Sequence, residues 1–287
     1  MRFMMYRDEQ TTGLAVQVDG GAFRSLSAGD AKFPGTLDEI VRRGPTAFRD
    51  ASLALATGKL IDSSQLEFLP PFSRASKIIC VGLNYADHSA ESGMKTPDYP
   101  TVFARFNSSL VAHGQPLICP KVSTAFDYEG EMVAVIGQGG RNIPEEDALD
   151  HVAGYSVFND GSVRDYQLRT PQWTIGKNFD GTGAFGPYFV TEDELPRGAK
   201  GLRLETRLNG HTMQNASTSD LIFDVARLVS LVSVSMTLEP GDLIVTGTPA
   251  GVGNARKPPV FMKPGDVCEI EIEKIGVLKN PVIAQPQ

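Results

Sequence analysis

The chain has 287 residues, of which 41% are hydrophobic and 21% are charged, so it contains enough apolar material for a folded core. Its 34 acidic and 27 basic residues give a formal net charge of −7, and the basic residues form no extended block. We therefore expect no binding surface for nucleic acid or for anionic lipid.

The sequence also argues against export and membrane insertion. Charged residues interrupt the first ten positions, so no signal-peptide core is expected, and the apolar stretch 228–234 is far shorter than a membrane span. The three cysteines, Cys80, Cys119 and Cys268, lie far apart and lack the spacing of a zinc site. We interpret them as buried thiols of a cytoplasmic protein.

Residues 1–72 are predicted to form a small α+β domain. Apolar periodicity and turn residues predict a hairpin followed by two helices, at 14–21, 36–43 and 47–56. Pro70 and Pro71 force extended backbone and prevent a helix from crossing them. A second domain is therefore predicted over 73–287.

The second domain has the pattern of a strand-rich α+β protein. Short β-branched runs separated by Gly and Pro predict strands at 78–81, 132–136, 155–159, 243–245 and 267–273. Helices are predicted at 84–92, 145–149 and 220–234, the last capped by Asp220.

Nucleotide-binding folds have little support in this sequence. No GxGxxG follows a predicted strand, no GxxxxGK[ST] is present, and strands and helices do not alternate regularly. The glycine-rich segment 247–253 is better interpreted as a tight loop that lets the backbone approach a ligand.

Alternating acids precede the apolar strand at 132–136. In extended backbone Asp127, Glu129 and Glu131 share one face at a spacing of about 7 Å, where their charges repel. A divalent cation would relieve the repulsion, and oxygen ligands favour Mg²⁺, Mn²⁺ or Ca²⁺ over zinc. Asp160, at the end of a later strand, could supply a further ligand. Without a metal, the same pattern describes a solvated edge strand.

Two further features are suited to catalysis. His88 and Glu91 are three residues apart on a predicted helix, so the carboxylate can orient the imidazole as a general base. Lys177 lies in a glycine-flanked turn, where it is either a surface lysine or a cation that stabilises developing negative charge.

Five motifs in a fixed order identify a family resemblance. They are G-L-N-Y-x2-H-x2-E at 82–91, D-Y-E-x-E at 127–131, N-D-x-S-x-R-D at 159–165, G-K-x-F-D at 176–180 and G-T-P-x-G-V-G at 247–253. From about residue 77 to the C-terminus, the chain resembles the fumarylacetoacetate hydrolase family.

The resemblance implies a β-rich catalytic domain of mixed β-roll or barrel type that assembles as a homodimer. It implies one Mg²⁺ or Mn²⁺ per subunit on Glu129, Glu131 and Asp160. Asp127 and Arg164 would support these ligands without binding the metal themselves.

The resemblance also assigns the substrate contacts. Lys177, Gln167 and Thr248 occupy positions that contact the pyruvyl end of a substrate. The helix with His88 and Glu91 resembles a lid that closes over the substrate and prepares the base.

The implied activity is hydrolysis of a carbon–carbon bond in an acylpyruvate, such as maleylpyruvate or fumarylpyruvate, to pyruvate and a carboxylic acid during the degradation of aromatic compounds. Arg105 stands where relatives often have lysine, and we predict that it binds a second substrate carboxylate. Alternatives within the family are an oxaloacetate-type decarboxylase, a 2-oxo-acid isomerase, and a hydrolase or lyase of sugar-derived 2-oxo-3-deoxy acids. The alternative from another class is a non-catalytic protein that binds a metal and a 2-oxo acid.

Overall fold

Strands dominate the computed structural model, which describes residues 1–91, 93 and 97–286. In chain order the strands are β1 Arg2–Asp8, β2 Thr11–Gln17, β3 Phe23–Ser27, β4 Lys59–Ile61, β5 Glu67–Phe68, β6 Ile78–Gly82, β7 Thr101–Arg105, β8 Leu110–Ala112, β9 Leu117–Cys119, β10 Phe126–Asp127, β11 Gly130–Ile136, β12 Val152–Asn159, β13 Ser162–Val163, β14 Gly183–Thr191, β15 Arg203–Leu208, β16 His211–Ser217, β17 Leu243–Val245, β18 Val267–Ile272 and β19 Gly276–Ala284. Over the described residues they form sheets of twelve, five and two strands.

The helices are short. They are α1 Leu37–Val41, α2 Ala47–Leu55, α3 Ala86–Glu91, α4 Arg164–Gln167, α5 Thr174–Lys177 and α6 Val225–Ser235. Within the described part of the chain, no helix is both long enough and apolar enough to cross a membrane.

Most predicted elements are present, and two helix boundaries are corrected. Asp224, rather than Asp220, caps α6, because its side chain accepts a hydrogen bond from the backbone N–H of Arg227 at 3.1 Å. The helix predicted at 145–149 is instead a 3₁₀ turn at Ala148–His151.

The twelve-stranded sheet is open. Ten of its strands follow the order β4-β3-β2-β1-β14-β12-β11-β17-β6-β7, with β5 paired to β1 and β8 paired to β14. The strand-rich α+β class is confirmed, but over the described residues the sheets do not close into the barrel that the resemblance implied.

Strand β11 is buried on both faces, which explains its uninterrupted apolar sequence. Met132 and Ala134 pack in one core with residues of the five-stranded sheet and of α6. Val133 and Val135 pack in a second core with residues from the first 72 positions. Strand β11 is therefore held in place by a packed core on each of its faces.

The N-terminal segment continues the large sheet. β1 pairs with β14 in antiparallel register, with Phe3 opposite Phe189. The ring of Phe189 contacts Phe48 and Phe72, with centroids 5.0 and 5.2 Å apart. The two segments 1–72 and 73–287 thus share one sheet and one core. Their division into two domains stays a prediction.

This shared core predicts the effect of Phe189→Ala. Because Phe189 is fully buried, we expect the free energy of unfolding to fall by about 3–5 kcal/mol. Since both segments contact this ring, the loss should appear in a single transition during urea denaturation followed by circular dichroism.

Leu53→Ala is the matched control, because Leu53 lies on α2 but is 64% exposed. Its effect should stay within about 0.5 kcal/mol. A transition that splits in two for Phe189→Ala would show that the segments unfold separately.

Candidate metal and substrate site

The pairing of β11 with β12 brings three carboxylates together. Gly130 lies opposite Asn159 in the register, and the Glu129 N–H donates to Asn159 Oδ1 at 3.1 Å. The Asp160 N–H donates to the Glu129 carbonyl at 2.9 Å. As a result, one carboxylate oxygen each of Glu129, Glu131 and Asp160 lies within 4.8 Å of the other two, and all three residues are buried.

The glycine between the two glutamates is required by the neighbouring sheet. A Cβ at Gly130 would lie 2.1 Å from Thr206 Oγ1 on β15, a contact that no side chain can make. The second sheet therefore packs directly on the backbone of β11, while Glu129 and Glu131 line the cavity on the other side.

Three buried cations surround two of these carboxylates. Lys177 Nζ lies 2.8 Å from Glu129 Oε2 and 2.7 Å from Asp160 Oδ2. Arg164 Nη1 lies 2.7 Å from Glu129 Oε1, and Arg105 Nη1 lies 2.6 Å from Asp160 Oδ1. Every oxygen of this carboxylate pair thus faces a positive charge.

The pKa values of this cluster follow from those contacts. Burial by itself would raise the pKa of Glu129, but the charges of Lys177 and Arg164 lower it to about 2. Burial opposes the charged form of Lys177 as well, yet Asp160 and Glu129 raise its pKa above the ordinary value. We therefore expect both side chains to be charged near neutral pH.

Glu131 is held differently. One of its oxygens accepts a hydrogen bond from the backbone N–H of Gly247 at 2.5 Å. Gly247 has a φ of +106°, which favours glycine, and this conformation aims its N–H at the carboxylate. Burial, followed by the charges of Asp160 and Glu129, raises the pKa of Glu131 well above its ordinary value.

The charges of this network suit a divalent cation. With Asp127, four buried carboxylates face three buried cations among the described residues of the network, so ionisation of all four leaves one excess negative charge, and the raised pKa of Glu131 reflects that excess. Hard carboxylate oxygens are the ligands that Mg²⁺ and Mn²⁺ prefer. The side chains of Glu129, Glu131 and Asp160 therefore fit such an ion, and Glu131 supplies the carboxylate that no cation contacts within the described chain.

The role predicted for Arg105 is wrong, because its side chain is fully buried behind Asp160. Besides the contact with Asp160, its guanidinium donates to Gly161 O at 3.0 Å, Thr182 Oγ1 at 3.2 Å and Ser109 Oγ at 3.2 Å. These bonds use the groups that would bind a substrate carboxylate. Arg105 instead fixes the orientation of Asp160.

Asp127 does not share a continuous strand with the glutamates, contrary to the prediction. β10 ends at Asp127 and pairs with β13, whereas β11 begins at Gly130. The Asp127 carboxylate accepts from the backbone N–H groups of Gly253 and Asn254 at 2.8 and 2.9 Å and from Arg164 Nε at 2.8 Å. It therefore anchors a loop rather than facing the other acids.

The carboxylate cluster opens into a cavity of about 460 Å³ that His88 and Glu91 also line. His88 Nδ1 lies 2.8 Å from Glu91 Oε1, and Glu91 Oε2 accepts from the Gly251 N–H at 2.9 Å. Because Nδ1 is engaged, Nε2 is the ring nitrogen left to exchange a proton with a bound molecule. The predicted helix extended to Ser92, which lies outside the described residues.

Gln167 and Thr248 also line the cavity. Gln167 Oε1 accepts from Arg164 Nη1 at 2.9 Å, so its amide nitrogen is left to donate to a bound anion. Thr248 Oγ1 donates to Gly130 O at 3.0 Å and accepts from Gln214 Nε2 at 2.8 Å. Both positions are compatible with the substrate contacts expected of them.

Four cavity or support residues were missed from the sequence. Gln214 reaches the site from β16, and Trp173, Arg256 and Lys257 line the cavity. Only the basic pair had a readable signal, because it begins three residues after the glycine-rich segment 247–253. Trp173 and Gln214 are brought in by tertiary packing, which no local pattern encodes.

The chain is similar to a known protein family, to a named relative in sequence and to solved structures. The family described as Fumarylacetoacetate (FAA) hydrolase C-terminal matches residues 77–283. The oxaloacetate tautomerase fahd2 of Xenopus laevis, named as mitochondrial, is 41% identical over 274 residues, which cover 94% of this chain and 85% of that protein.

Two solved structures resemble the whole fold. A fumarylacetoacetate hydrolase from Exiguobacterium antarcticum has a TM-score of 0.87 at 36% identity and covers 99% of this chain and 100% of its own. A maleylpyruvate hydrolase from Sphingobium sp. SYK-6 has a TM-score of 0.80 at 28% identity, with the same coverage of both chains.

The excess negative charge predicts stabilisation by a metal ion. Addition of Mn²⁺ or Mg²⁺ to chelator-treated protein should raise the melting temperature by roughly 5 °C at a concentration of about 100 times the Kd. Differential scanning calorimetry with and without EDTA measures this shift.

Glu131→Gln should abolish the shift, because it removes the carboxylate that lacks a cation partner among the described residues. Glu145→Gln is the matched control, since Glu145 is an exposed carboxylate bonded to Arg227. A full metal-induced shift in Glu131→Gln would contradict the assignment of Glu131 as a ligand.

Proposed function

The chain belongs to the fumarylacetoacetate hydrolase family, and from this premise we propose that it is a divalent-metal-dependent enzyme that acts on small 2-oxo acids. One observation carries the proposal: Glu129 and Glu131, which cluster with Asp160, line the same cavity as Lys177 and the bonded pair His88 and Glu91. A metal held by the carboxylates would polarise a 2-oxo group and stabilise negative charge on its oxygen.

The first candidate reaction is the keto–enol interconversion of oxaloacetate. It is favoured by the 41% identity, over 94% of this chain, to a protein named oxaloacetate tautomerase. The reaction requires one base to remove a proton from C3, so that the electrons of the C–H bond form the C2–C3 double bond. The 2-oxo oxygen then takes up a proton.

The chain's own residues suit this proton transfer. His88 Nε2 is the nitrogen left to take the C3 proton, and Glu91 stabilises the imidazolium that results. The ammonium of Lys177, which lines the cavity, would stabilise negative charge that develops on the 2-oxo oxygen. The amide nitrogen of Gln167 would donate to the substrate's 1-carboxylate, since its amide oxygen is already bonded to Arg164.

The second candidate is hydrolysis of an acylpyruvate such as maleylpyruvate or fumarylpyruvate. It is favoured by the 2.8 Å contact between His88 Nδ1 and Glu91 Oε1, an arrangement suited to the deprotonation of water. Attack of this water on the 4-carbonyl would release a carboxylic acid and the enol form of pyruvate. Similarity to a maleylpyruvate hydrolase supports it at the level of the fold.

One assay panel separates these candidates. Purified protein with Mg²⁺ or Mn²⁺ is given enol-enriched oxaloacetate, maleylpyruvate, fumarylpyruvate or acetylpyruvate, and enol absorbance, pyruvate and CO₂ are followed. Rapid metal-dependent loss of the enol without pyruvate would establish the tautomerase. Pyruvate with an equal amount of the second acid would establish the hydrolase, and pyruvate with CO₂ would establish a decarboxylase.

Two other expectations remain proposals. Homodimer formation and a cytoplasmic location are predictions of the sequence and its resemblance.

Isomerase substrates and sugar-derived 2-oxo-3-deoxy acids become the next panel if all four compounds are inert. A non-catalytic protein would bind oxalate in a metal-dependent way and turn over none of these compounds.

His88→Gln should lower kcat by about 10²- to 10⁴-fold, because the proton-transferring imidazole is lost. The effect on metal-induced thermal stabilisation should be small, since His88 is not among the three clustered carboxylates. His211→Gln is the matched control, because His211 is an exposed histidine on β16. Equal activity of His88→Gln and the wild-type protein would exclude His88 as the base.

A further inference from the structure

The cavity contains positive charge that no acid of the described chain neutralises. Arg256 is half-buried in its lining, and Lys257 is exposed at the same wall. Arg256 donates from Nε to Gly251 O at 3.2 Å and from Nη2 to Met213 O at 2.6 Å. Both acceptors are neutral carbonyls, so the guanidinium keeps its net charge.

The other strong cations of the cavity are already committed. Arg164 is bonded to Asp127 and Glu129, and Lys177 bridges Glu129 and Asp160. Arg256 and Lys257 are therefore the cavity cations available to a bound anion beyond the carboxylate cluster.

The loop that carries Arg256 is held in place at several points. The N–H groups of Gly253 and Asn254 donate to Asp127, and the N–H of Gly251 donates to Glu91. The two carbonyl contacts use Nε and Nη2, and the Tyr128 hydroxyl is a further neutral partner, so the guanidinium lines the cavity without an acidic partner among the described residues. Such a fixed guanidinium loses little freedom when it binds a carboxylate.

We infer that Arg256, assisted by Lys257, binds the second carboxylate of a dicarboxylic 2-oxo acid of four or five carbons. The inference rests on the proposed function, because it takes the 2-oxo end of the substrate to lie at Glu129, Glu131 and Asp160. It assigns to this loop the role that the sequence had suggested for Arg105. A molecule with negative charge at both ends matches the cavity, since one end meets the metal ligands and the other meets the guanidinium.

Binding of three probes that carry no hydrolysable acyl group tests this inference by isothermal titration calorimetry in the presence of Mg²⁺. Oxalate reports the metal end alone. 2-Oxoglutarate and 2-oxopentanoate have the same carbon chain and differ in the second carboxylate. The wild-type protein should bind 2-oxoglutarate about 10-fold more tightly than 2-oxopentanoate.

Arg256→Gln should abolish this preference and leave the Kd values of oxalate and 2-oxopentanoate within about 2-fold of wild type. Arg256→Lys should keep part of the preference, because it retains the charge and loses the fork geometry. Lys257→Gln should reduce the preference only about 2- to 3-fold, since an exposed ammonium is well hydrated. Arg227→Gln is the matched control, because it removes the same charge from α6, outside the cavity lining. This variant should bind all three probes as the wild-type protein does.

Each other outcome has a definite meaning. A wild-type protein that binds oxalate but does not prefer the dicarboxylate overturns the inference and leaves the proposed function intact. Equal weakening of all three probes by Arg256→Gln also overturns it, because the side chain then only holds the loop. No Mg²⁺-dependent binding of oxalate to the wild-type protein would overturn the proposed function and this inference with it.

Discussion

The position of Lys177 between Glu129 and Asp160 is the interaction on which the site depends. Without such a cation, two buried carboxylates this close would repel each other, and burial would favour their neutral forms. Arg164 and Arg105 complete the neutralisation of this pair from opposite sides. Among the described acids of this network, Glu131 has only a backbone donor, so when it is ionised the network can accept one more cation.

The two sides of the cavity differ in how they are supported. The carboxylates lie at the ends of β11 and β12, strands that are packed on both faces. The proposed base, His88, lies on α3, a helix of six residues whose Glu91 contacts the loop at Gly251. A divalent ion would turn the excess negative charge into an excess positive one, which attracts the anionic end of a 2-oxo acid.

Local patterns were sufficient for residues whose neighbours in sequence are also their neighbours in space. The acids flanking Gly130, the pair His88 and Glu91, and the strand-end position of Asp160 are of this kind. Arg105 was misassigned because a sequence reveals a guanidinium but not its depth, and the depth comes from the packing of β7 over Asp160. Asp127 was misplaced because the break between β10 and β11 is stabilised by N–H groups more than 120 residues away.

The anchoring of the loop by Asp127 has a consequence for how such a site can diversify. Its carboxylate holds the loop through the peptide N–H groups of Gly253 and Asn254, and any residue except proline would supply a peptide N–H at the second of these positions. Side chains further along the loop can therefore be exchanged while its path is kept. Substrate choice can drift in this way across descendants of one ancestor, and the chemistry at the strand ends need not be reinvented each time.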